Sequence, residues 1–223
     1  MNTIAAVLFD LDGTLVDTAP DFVRVLNQLR AEDQLPPLPY DVIRNQVSNG
    51  ARALVKLGFE LEEDSDGFTN RLQALLHLYE TGLAQESHVF PGLNESLLWL
   101  EQRGIPWGVV TNKPSRYTLP LLRGLNLDQR CAVAVCPDHV THKKPHPEPL
   151  LTACDWLSVD PLHTIYVGDH VRDIESGKAA GNFTIAAAWG YLEQDTDIQT
   201  WQADLVINDP SELQSFLTRK LPN

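Results

Sequence analysis

The first apolar segment of the chain constrains its fold most strongly. Residues 4–9 are continuously apolar, and Asp10 ends the run. A run this short, without polar alternation, is typical of a strand buried on both faces of a parallel sheet. Runs of the same kind recur along the C-terminal half, at residues 107–110, 132–135, 164–167, 184–188 and 205–207.

Amphipathic segments of helical length separate most of these runs. Residues 93–102, 115–123 and 171–180 are each followed by a glycine, which we predict as the helix C-cap: Gly104, Gly124 and Gly181. Alternation of buried strands with helices predicts an α/β fold with a Rossmann-like, doubly wound parallel sheet.

The stretch between the first two strands has a different pattern. No strand signal occurs from about residue 20 to 86, and apolar residues recur at helical spacing, for example at Phe22, Val25, Leu26 and Leu29. One long crossover within the main domain would be unusual at this length. We therefore predict a smaller all-helical cap inserted after the first strand, with the cap at residues 19–86 and the core at 1–18 and 87–223.

Composition narrows the partners and the compartment. Lys and Arg total 17 against 30 Asp and Glu, a formal charge of -13, which disfavours nucleic acid and anionic membrane surfaces as partners. Only three cysteines are present and none forms a C-x-x-C pair, which fits a reducing compartment. No apolar run is long enough for a membrane span or a signal peptide. We expect a cytoplasmic protein, either monomeric or homodimeric.

Chemically active side chains lie where the strands end. In an open parallel sheet ligands bind outside the carboxyl ends of the strands, so residues adjoining those ends meet at one edge. Taken singly, each has an ordinary explanation as a turn, a helix cap or a surface lysine. Their joint occurrence predicts a functional site built from Asp10, Asp12, Thr111, Lys144, Asp169 and Asp173.

Such a group of carboxylates requires a cation. Asp10, Asp12 and Asp169 would repel one another and any phosphate, whereas a hard divalent ion with oxygen ligands, preferably Mg²⁺, would neutralise them. Lys144 would supply a second positive charge against Asp10, Asp173 and phosphoryl oxygens. This pattern indicates phosphoryl transfer, in which positioning and charge stabilisation supply most of the catalysis.

The same residues resemble the motifs of the haloacid dehalogenase superfamily. The segment DLDGTLVDT, from Asp10 to Thr18, resembles its first motif, Thr111 its second, Lys144 its third, and Asp169 with Asp173 its fourth. The resemblance extends from residue 6 to about residue 190. The cap is placed as in the phosphoglycolate-phosphatase-like branch, and residues 108–114, 135–140 and 144–150 look most similar to the subgroup acting on N-acetylmuramic acid 6-phosphate.

This resemblance implies roles for the first motif. Asp10 would be the nucleophile that forms an aspartyl-phosphate, and Asp12 would protonate the leaving alkoxide and later deprotonate water. Asp10, Asp169 and the backbone carbonyl of Asp12 would hold Mg²⁺.

The other motifs would support the phosphoryl group and the lysine. Thr111 would hydrogen-bond the phosphoryl group, assisted by backbone N–H groups near Gly13 and Asn112. Asp173 would orient Lys144 or reach the metal through water.

The resemblance implies a phosphate monoester hydrolase similar to phosphoglycolate phosphatases, and other activities of proteins with these motifs remain as alternatives. The second carboxylate, Asp12, argues against dehalogenases proper, which lack it. Phosphonate hydrolases take a Schiff-base lysine from the cap, but Lys56 is better explained as a surface residue. A sugar phosphomutase would share every core motif, and a receiver-type phospho-acceptor would use similar groups without turnover.

The cap is expected to choose the substrate, which we predict to be a small phosphorylated metabolite. Asn49 and Arg52 lie in a glycine-containing segment between two helical patterns, and Lys113 adjoins the second motif. These three are candidate ligands of a substrate anion, Arg52 because guanidinium binds carboxylate bidentately. Phosphoglycolate and N-acetylmuramic acid 6-phosphate both carry a carboxylate, so the residues leave both substrates open.

Three histidines, His139, His142 and His146, are spaced three and four residues apart. Such spacing raises the question of a soft-metal site. Pro145 prevents the continuous helix that would align them, and no acidic or thiolate partner is adjacent in sequence. We interpret them as residues of a surface loop.

Overall fold

The computed structural model describes residues 3–220 and contains one large parallel sheet. Its six strands lie in the order β5-β4-β1-β6-β7-β8, and every neighbouring pair is parallel. A separate two-stranded ribbon pairs β2 with β3. The strands are β1 (Ala6–Phe9), β2 (Val16–Asp17), β3 (His88–Val89), β4 (Trp107–Val110), β5 (Val133–Val135), β6 (Thr164–Gly168), β7 (Phe183–Ala187) and β8 (Leu205–Ile207).

Strand β1 is buried on both faces, as its continuous apolar run predicts. Val7 and Phe9 pack into the larger hydrophobic cluster, whereas Leu8 packs into the smaller one, because successive side chains point to opposite faces of a sheet. The helices that cover these faces are α5 (Leu93–Gln102), α6 (Ser115–Gly124), α7 (Glu148–Leu157), α8 (Val171–Ala180) and α9 (Glu212–Lys220). The predicted Rossmann-like α/β architecture is confirmed.

One predicted helix end is wrong. Helix α6 continues through Gly124, and the left-handed residue that follows it is Asn126. A Cβ atom on Gly124 would lie 2.6 Å from Cβ of Ala84, so this glycine permits a close approach between two segments. Gly181, by contrast, is the predicted left-handed C-cap of α8.

The stretch predicted as the cap contains helices and no strand. Its elements are α1 (Ala19–Glu32), α2 (Tyr40–Arg44), α3 (Ala51–Phe59) and α4 (Phe68–Thr81), with a short 3₁₀ turn at Val47–Asn49. Helix α1 packs against the other three. The two strands of the ribbon flank these helices in sequence: β2 precedes α1 and β3 follows α4, where the chain leaves the core and returns to it. Throughout residues 3–220, no helix is long and apolar enough to cross a membrane.

Candidate active site

Three buried carboxylates meet at the carboxyl ends of β1 and β6. Asp10 extends the strand pairing, since its backbone N–H donates to the carbonyl of Val167 at 2.8 Å. Asp169 follows β6, and Asp173 lies in the first turn of α8. One carboxylate oxygen from each of the three lies within 4.8 Å of the others. The sequence-predicted convergence of these strand ends is therefore present in the structure.

Lys144 is the cation inside this carboxylate group. Its side chain is fully buried, and Nζ lies 3.0 Å from Asp10 Oδ1 and 2.7 Å from Asp173 Oδ1. The ammonium also donates to the Tyr166 hydroxyl and to the carbonyl of Val110, at 2.7 and 2.9 Å. A buried charge is tolerated only when it is paired and hydrogen-bonded in this way. Lys144 thus bonds to residues in or directly after β1, β4 and β6.

Asn112 fixes the backbone that carries Lys144. Its amide nitrogen donates to the Lys144 carbonyl at 3.0 Å, and its amide oxygen accepts from the Lys144 N–H at 3.1 Å. The sequence assigned Asn112 to the phosphoryl group through its backbone. In the structure its side chain positions the lysine.

Asp169 is packed by residues that leave little space beside it. Thr14 donates its hydroxyl to Oδ1 at 2.7 Å, and the N–H of Tyr191 donates to Oδ2 at 2.9 Å. Gly13 has a φ of +82°, and a Cβ there would lie 2.3 Å from Asp169 Oδ2. The glycine after Asp12 is therefore required by both its conformation and this close approach.

The charge balance of the site leaves Asp169 short of a counter-ion. Burial, together with the negative charges of Asp10 and Asp173, raises the pKa of Asp169 to about 7. Burial also raises the pKa of Asp173 despite the neighbouring Lys144. Carboxylates whose pKa values are raised by burial and by mutual repulsion provide oxygen ligands suited to a hard divalent cation. Asp10 and Asp169 fit the Mg²⁺ ligand roles that the resemblance implies.

Asp12 lies outside the group of three carboxylates and has its own hydrogen-bond partners. Its Oδ1 accepts from the Thr18 hydroxyl at 2.5 Å and from Lys113 Nζ at 2.9 Å. Lys113 also donates to the Tyr79 hydroxyl of α4 at 2.8 Å. Burial alone would lower the pKa of Lys113, but Asp12 and Tyr79 outweigh it and raise that pKa. Lys113, a candidate for the substrate anion, is thus a charged partner of Asp12.

Thr111 and Gly13 have local bonds that the sequence did not predict. The Thr111 side chain is buried, and its hydroxyl oxygen accepts from the N–H of Lys113 at 3.2 Å. The N–H of Gly13 donates to the carbonyl of Val16 at 3.0 Å. That N–H is therefore engaged within the turn, so the phosphoryl donor implied near Gly13 would be a neighbouring backbone N–H.

A cavity of about 500 Å³ opens from Asp10 and Asp12 into the cap. Its apolar wall comes from α1, α4 and α6, and includes Phe22, Leu72, Leu76, Tyr79 and Tyr117. Although the chain is strongly acidic, four basic side chains line this cavity: Arg52, Lys113, Lys143 and Arg172. The lining is suited to an anionic ligand with an apolar part.

The two cap candidates for the substrate both line this cavity. Arg52 is largely exposed, and its guanidinium pairs with Glu63 at 2.7 Å. The Asn49 amide donates to Glu193, in the core, at 2.7 Å. Both side chains would have to exchange these partners for a ligand.

The 3₁₀ turn of the cap lies directly over the carboxylates. Ser48 donates its hydroxyl to Asp169 Oδ2 at 3.2 Å, and its carbonyl accepts from Arg172 at 2.5 Å. Arg44 of α2 donates to the carbonyl of Trp189 at 2.9 Å. The segment predicted to form the cap therefore contacts the residues around Asp169 in this structure.

Sequence reasoning missed several residues that hold the site together. Thr14 and Thr18 occur inside the first motif, so their spacing from Asp12 was a usable signal. Tyr166 lies within an apolar strand run and Tyr79 within a helical pattern, and neither carried a signal of its own.

Lys56 and the three cysteines, which could in principle act as nucleophiles, are not part of this site. Lys56 is exposed and pairs with Glu62 at 2.9 Å, as a surface lysine does. The three cysteines are free, and burial raises the pKa of Cys131 and Cys136 to about 11. Thiols with such pKa values are poor nucleophiles near neutral pH.

The chain is similar to known proteins of one family. A family model for haloacid dehalogenase-like hydrolases matches residues 7–187. The chain is 43% identical over 218 residues to N-acetylmuramic acid 6-phosphate phosphatase of Pseudomonas putida, with 98% of each chain covered. It is 41% identical over 208 residues to phosphoglycolate phosphatase of Xanthomonas campestris pv. campestris, covering 93% of this chain and 94% of the relative.

A solved structure has the same overall architecture. The crystal structure of a predicted phosphoglycolate phosphatase from Haemophilus somnus superposes with a TM-score of 0.84 at 26% identity, covering 96% of this chain and 98% of that one. The resemblance inferred from the four motifs is confirmed by the match over residues 7–187 and by these relatives. The chain belongs to the haloacid dehalogenase-like hydrolase family.

Proposed function

We propose that this protein is a Mg²⁺-dependent phosphatase that hydrolyses a phosphate monoester of a small acidic metabolite through an aspartyl-phosphate. The observation that carries the proposal is the meeting of Asp10, Asp169 and Lys144 at the sheet edge, beside a cavity lined by basic residues. Phosphatases among the relatives support the reaction class.

In the first half of the reaction, Asp10 attacks phosphorus. A carboxylate oxygen of Asp10 forms the new P–O bond, while the bond from phosphorus to the leaving oxygen breaks and Asp12 protonates that oxygen. In the second half, Asp12 takes a proton from water, which attacks phosphorus and releases phosphate from Asp10. Asp12 lines the cavity together with Asp10, which supports its role as the acid and base.

Positive charge balances the dianionic group during both steps. Lys144 is held against Asp10 by its other bonds, so it is placed to stabilise phosphoryl oxygens without reorganising. Thr111, which follows β4, is the proposed hydroxyl donor to the phosphoryl group. Mg²⁺, when bound by Asp10 and Asp169, supplies charge neutralisation and a Lewis acid for the phosphoryl oxygen.

The cavity favours N-acetylmuramic acid 6-phosphate over phosphoglycolate as the substrate. Phosphoglycolate is a two-carbon acid that would leave most of about 500 Å³ unfilled. The larger sugar phosphate carries an acetamido methyl group and a lactyl carboxylate, and the cavity offers apolar and basic walls for them. Both substrates occur in the names of relatives.

Steady-state assays with both compounds and p-nitrophenyl phosphate test the proposal. We expect continuous, Mg²⁺-dependent phosphate release, with the highest kcat/KM for N-acetylmuramic acid 6-phosphate. A preference for phosphoglycolate would overturn the substrate assignment. A single stoichiometric burst would indicate a phospho-acceptor, and product isomers without free phosphate would indicate a mutase.

A substitution in the cavity wall tests the substrate assignment independently of the reaction class. Leu76→Trp narrows the cavity on the α4 side. We expect it to lower kcat/KM for the sugar phosphate while leaving p-nitrophenyl phosphate hydrolysis nearly unchanged. Leu98→Trp, at an exposed leucine of α5, is the matched control and is expected to change neither. Equal losses for both compounds in Leu76→Trp would contradict the assignment of this wall.

The protein is further proposed to act in the cytoplasm as a monomer or homodimer. The three free cysteines support a reducing compartment. Light scattering coupled to gel filtration distinguishes the two oligomeric states, and fractionation of cells tests the location.

A further inference from the structure

A second group of potential metal ligands lies on the outer surface of the core. It consists of His142, His146 and Glu148, and one ligand atom from each lies within 4.8 Å of the others. Within residues 3–220, the other such group is the catalytic carboxylate cluster. The sequence indicated no adjacent acidic partner for these histidines, and the structure differs on that point because the turn into α7 places Glu148 beside His142 and His146. Both histidines are exposed loop residues, as the sequence predicts.

Glu148 is held in place by the loop. Its Oε1 accepts from the Thr141 N–H at 2.8 Å, and its Oε2 accepts from the His142 N–H at 2.9 Å. These two backbone bonds fix the position and orientation of the carboxylate in the loop. A fixed, charged carboxylate lowers the cost of assembling a metal site.

The two imidazoles face the same space. Their ring centroids lie 4.6 Å apart, and His142 Nδ1 lies 2.9 Å from Glu148 Oε2. The carbonyl of His146 accepts from the Ser176 hydroxyl at 2.8 Å, which anchors this side of the loop to α8. The third histidine, His139, packs against Trp156 instead.

We propose that His142, His146 and Glu148 form a binding site for one borderline-soft divalent cation such as Zn²⁺. Two imidazole nitrogens and one carboxylate oxygen suit Zn²⁺, whereas Mg²⁺ prefers oxygen ligands alone. Ligand atoms around one tetrahedral Zn²⁺ are about 3.4 Å apart, so shifts of roughly 1 Å complete the site. Water would take the remaining coordination position at this exposed surface.

The site has a consequence for the segment between the two histidines. Lys144 lies midway between His142 and His146 in sequence and extends inward to the catalytic carboxylates. A cation bound by His142 and His146 at the surface would therefore restrict the motion of the segment that carries Lys144. Because such an ion binds the folded chain, we expect it to raise Tm in proportion to its occupancy.

Titration calorimetry with Zn²⁺ and thermal unfolding, both at saturating Mg²⁺, test the proposal. We expect His142→Ala and His146→Ala each to weaken this binding event by at least about tenfold and to lose its rise in Tm. His163→Ala, which removes an exposed histidine beside Asp160, is the matched control and should bind Zn²⁺ like the parent protein.

Binding at the catalytic carboxylates is distinguished with Asp169→Asn. That variant should keep the Zn²⁺ event that the two histidine substitutions abolish. Unchanged Zn²⁺ affinity and stoichiometry in His142→Ala and His146→Ala would overturn the proposal, as would loss of the event in Asp169→Asn alone. The substituted histidines are exposed, and circular dichroism verifies that each variant is folded.

Discussion

Lys113 Nζ lies 2.9 Å from Asp12 Oδ1 and 2.8 Å from the Tyr79 hydroxyl, so one ammonium joins the proposed general acid–base to a cap helix. Its position over the rings of Phe22 and Tyr79 adds a cation–π contact on the same side. The bond to Tyr79 exists only when α4 is close to the core. The position of α4 and the placement of the Asp12 side chain are therefore linked through Lys113.

Substitution of Lys113 tests this link. We expect Lys113→Met to lower kcat by roughly 10²-fold, because Asp12 loses the cation that orients it. Lys113→Arg should recover part of the loss. A raised KM with unchanged kcat would instead indicate that Lys113 only binds substrate.

Tyr79→Phe provides the matched control for the cap side of the pair. It removes the hydroxyl but keeps the ring, which stacks on Phe22 with centroids 4.0 Å apart. We expect a smaller fall in kcat than in Lys113→Met, with little change in Tm. An equal fall in both variants would place the main effect in the cap instead of in Asp12.

Asp10→Asn tests the proposed nucleophile. An amide oxygen cannot form the acyl-phosphate at a useful rate, so we expect kcat to fall by at least about 10³-fold. The substitution keeps the size of the side chain, and substrate binding should be largely retained. Asp155→Asn, at an exposed position of α7, should retain full activity. Normal turnover by Asp10→Asn would reject the assignment.

The buried Lys144–Asp173 pair predicts an effect on stability. Lys144→Met leaves Asp10 and Asp173 without their shared cation, and we expect it to lower the free energy of unfolding by about 3–5 kcal/mol. Urea denaturation in EDTA measures this change. Lys178→Met removes an exposed lysine of α8 and should cost at most about 1 kcal/mol.

A double substitution separates the interaction energy of the Lys144–Asp173 pair from the loss of packing at the two positions. Asp173→Asn removes one of the two charges that Lys144→Met leaves uncompensated. The double variant should therefore be less destabilised than the sum of the single variants. Additive losses would show that the two side chains do not interact in solution.

The site residues beside the strand ends could be predicted because each one lies next to an apolar run that is visible in the local sequence. Asp10 and Asp169 each adjoin an apolar run, and parallel strands bring such positions to one edge. The Lys113–Tyr79 bond could not be predicted, since it depends on where α4 packs relative to β4. Gly124 shows a different limit, because a glycine that ends a helix and one that admits Ala84 look the same in sequence.

The final prediction concerns pH and the metal-free protein. Asp169 has a pKa of about 7 when folded and an ordinary one, near 4, when unfolded. Between these values the folded state binds the additional proton, so the contribution of Asp169 to stability falls as pH rises from about 4 to about 7. His170 acts in the opposite direction, because burial lowers its pKa to about 4.

Unfolding free energies are measured in EDTA from pH 5 to 8 for the parent protein and for Asp169→Asn. The difference between the two proteins gives the contribution of the Asp169 carboxylate. We expect the parent to lose a few kcal/mol relative to the variant over this range, in accordance with its raised pKa. Excess Mg²⁺ should stabilise the parent increasingly toward pH 8 and leave Asp169→Asn nearly unaffected, since the ion binds the ionised carboxylate. Parallel pH profiles for the two proteins in EDTA would show that Asp169 is already ionised at pH 5, and that a cation is not needed to balance its charge.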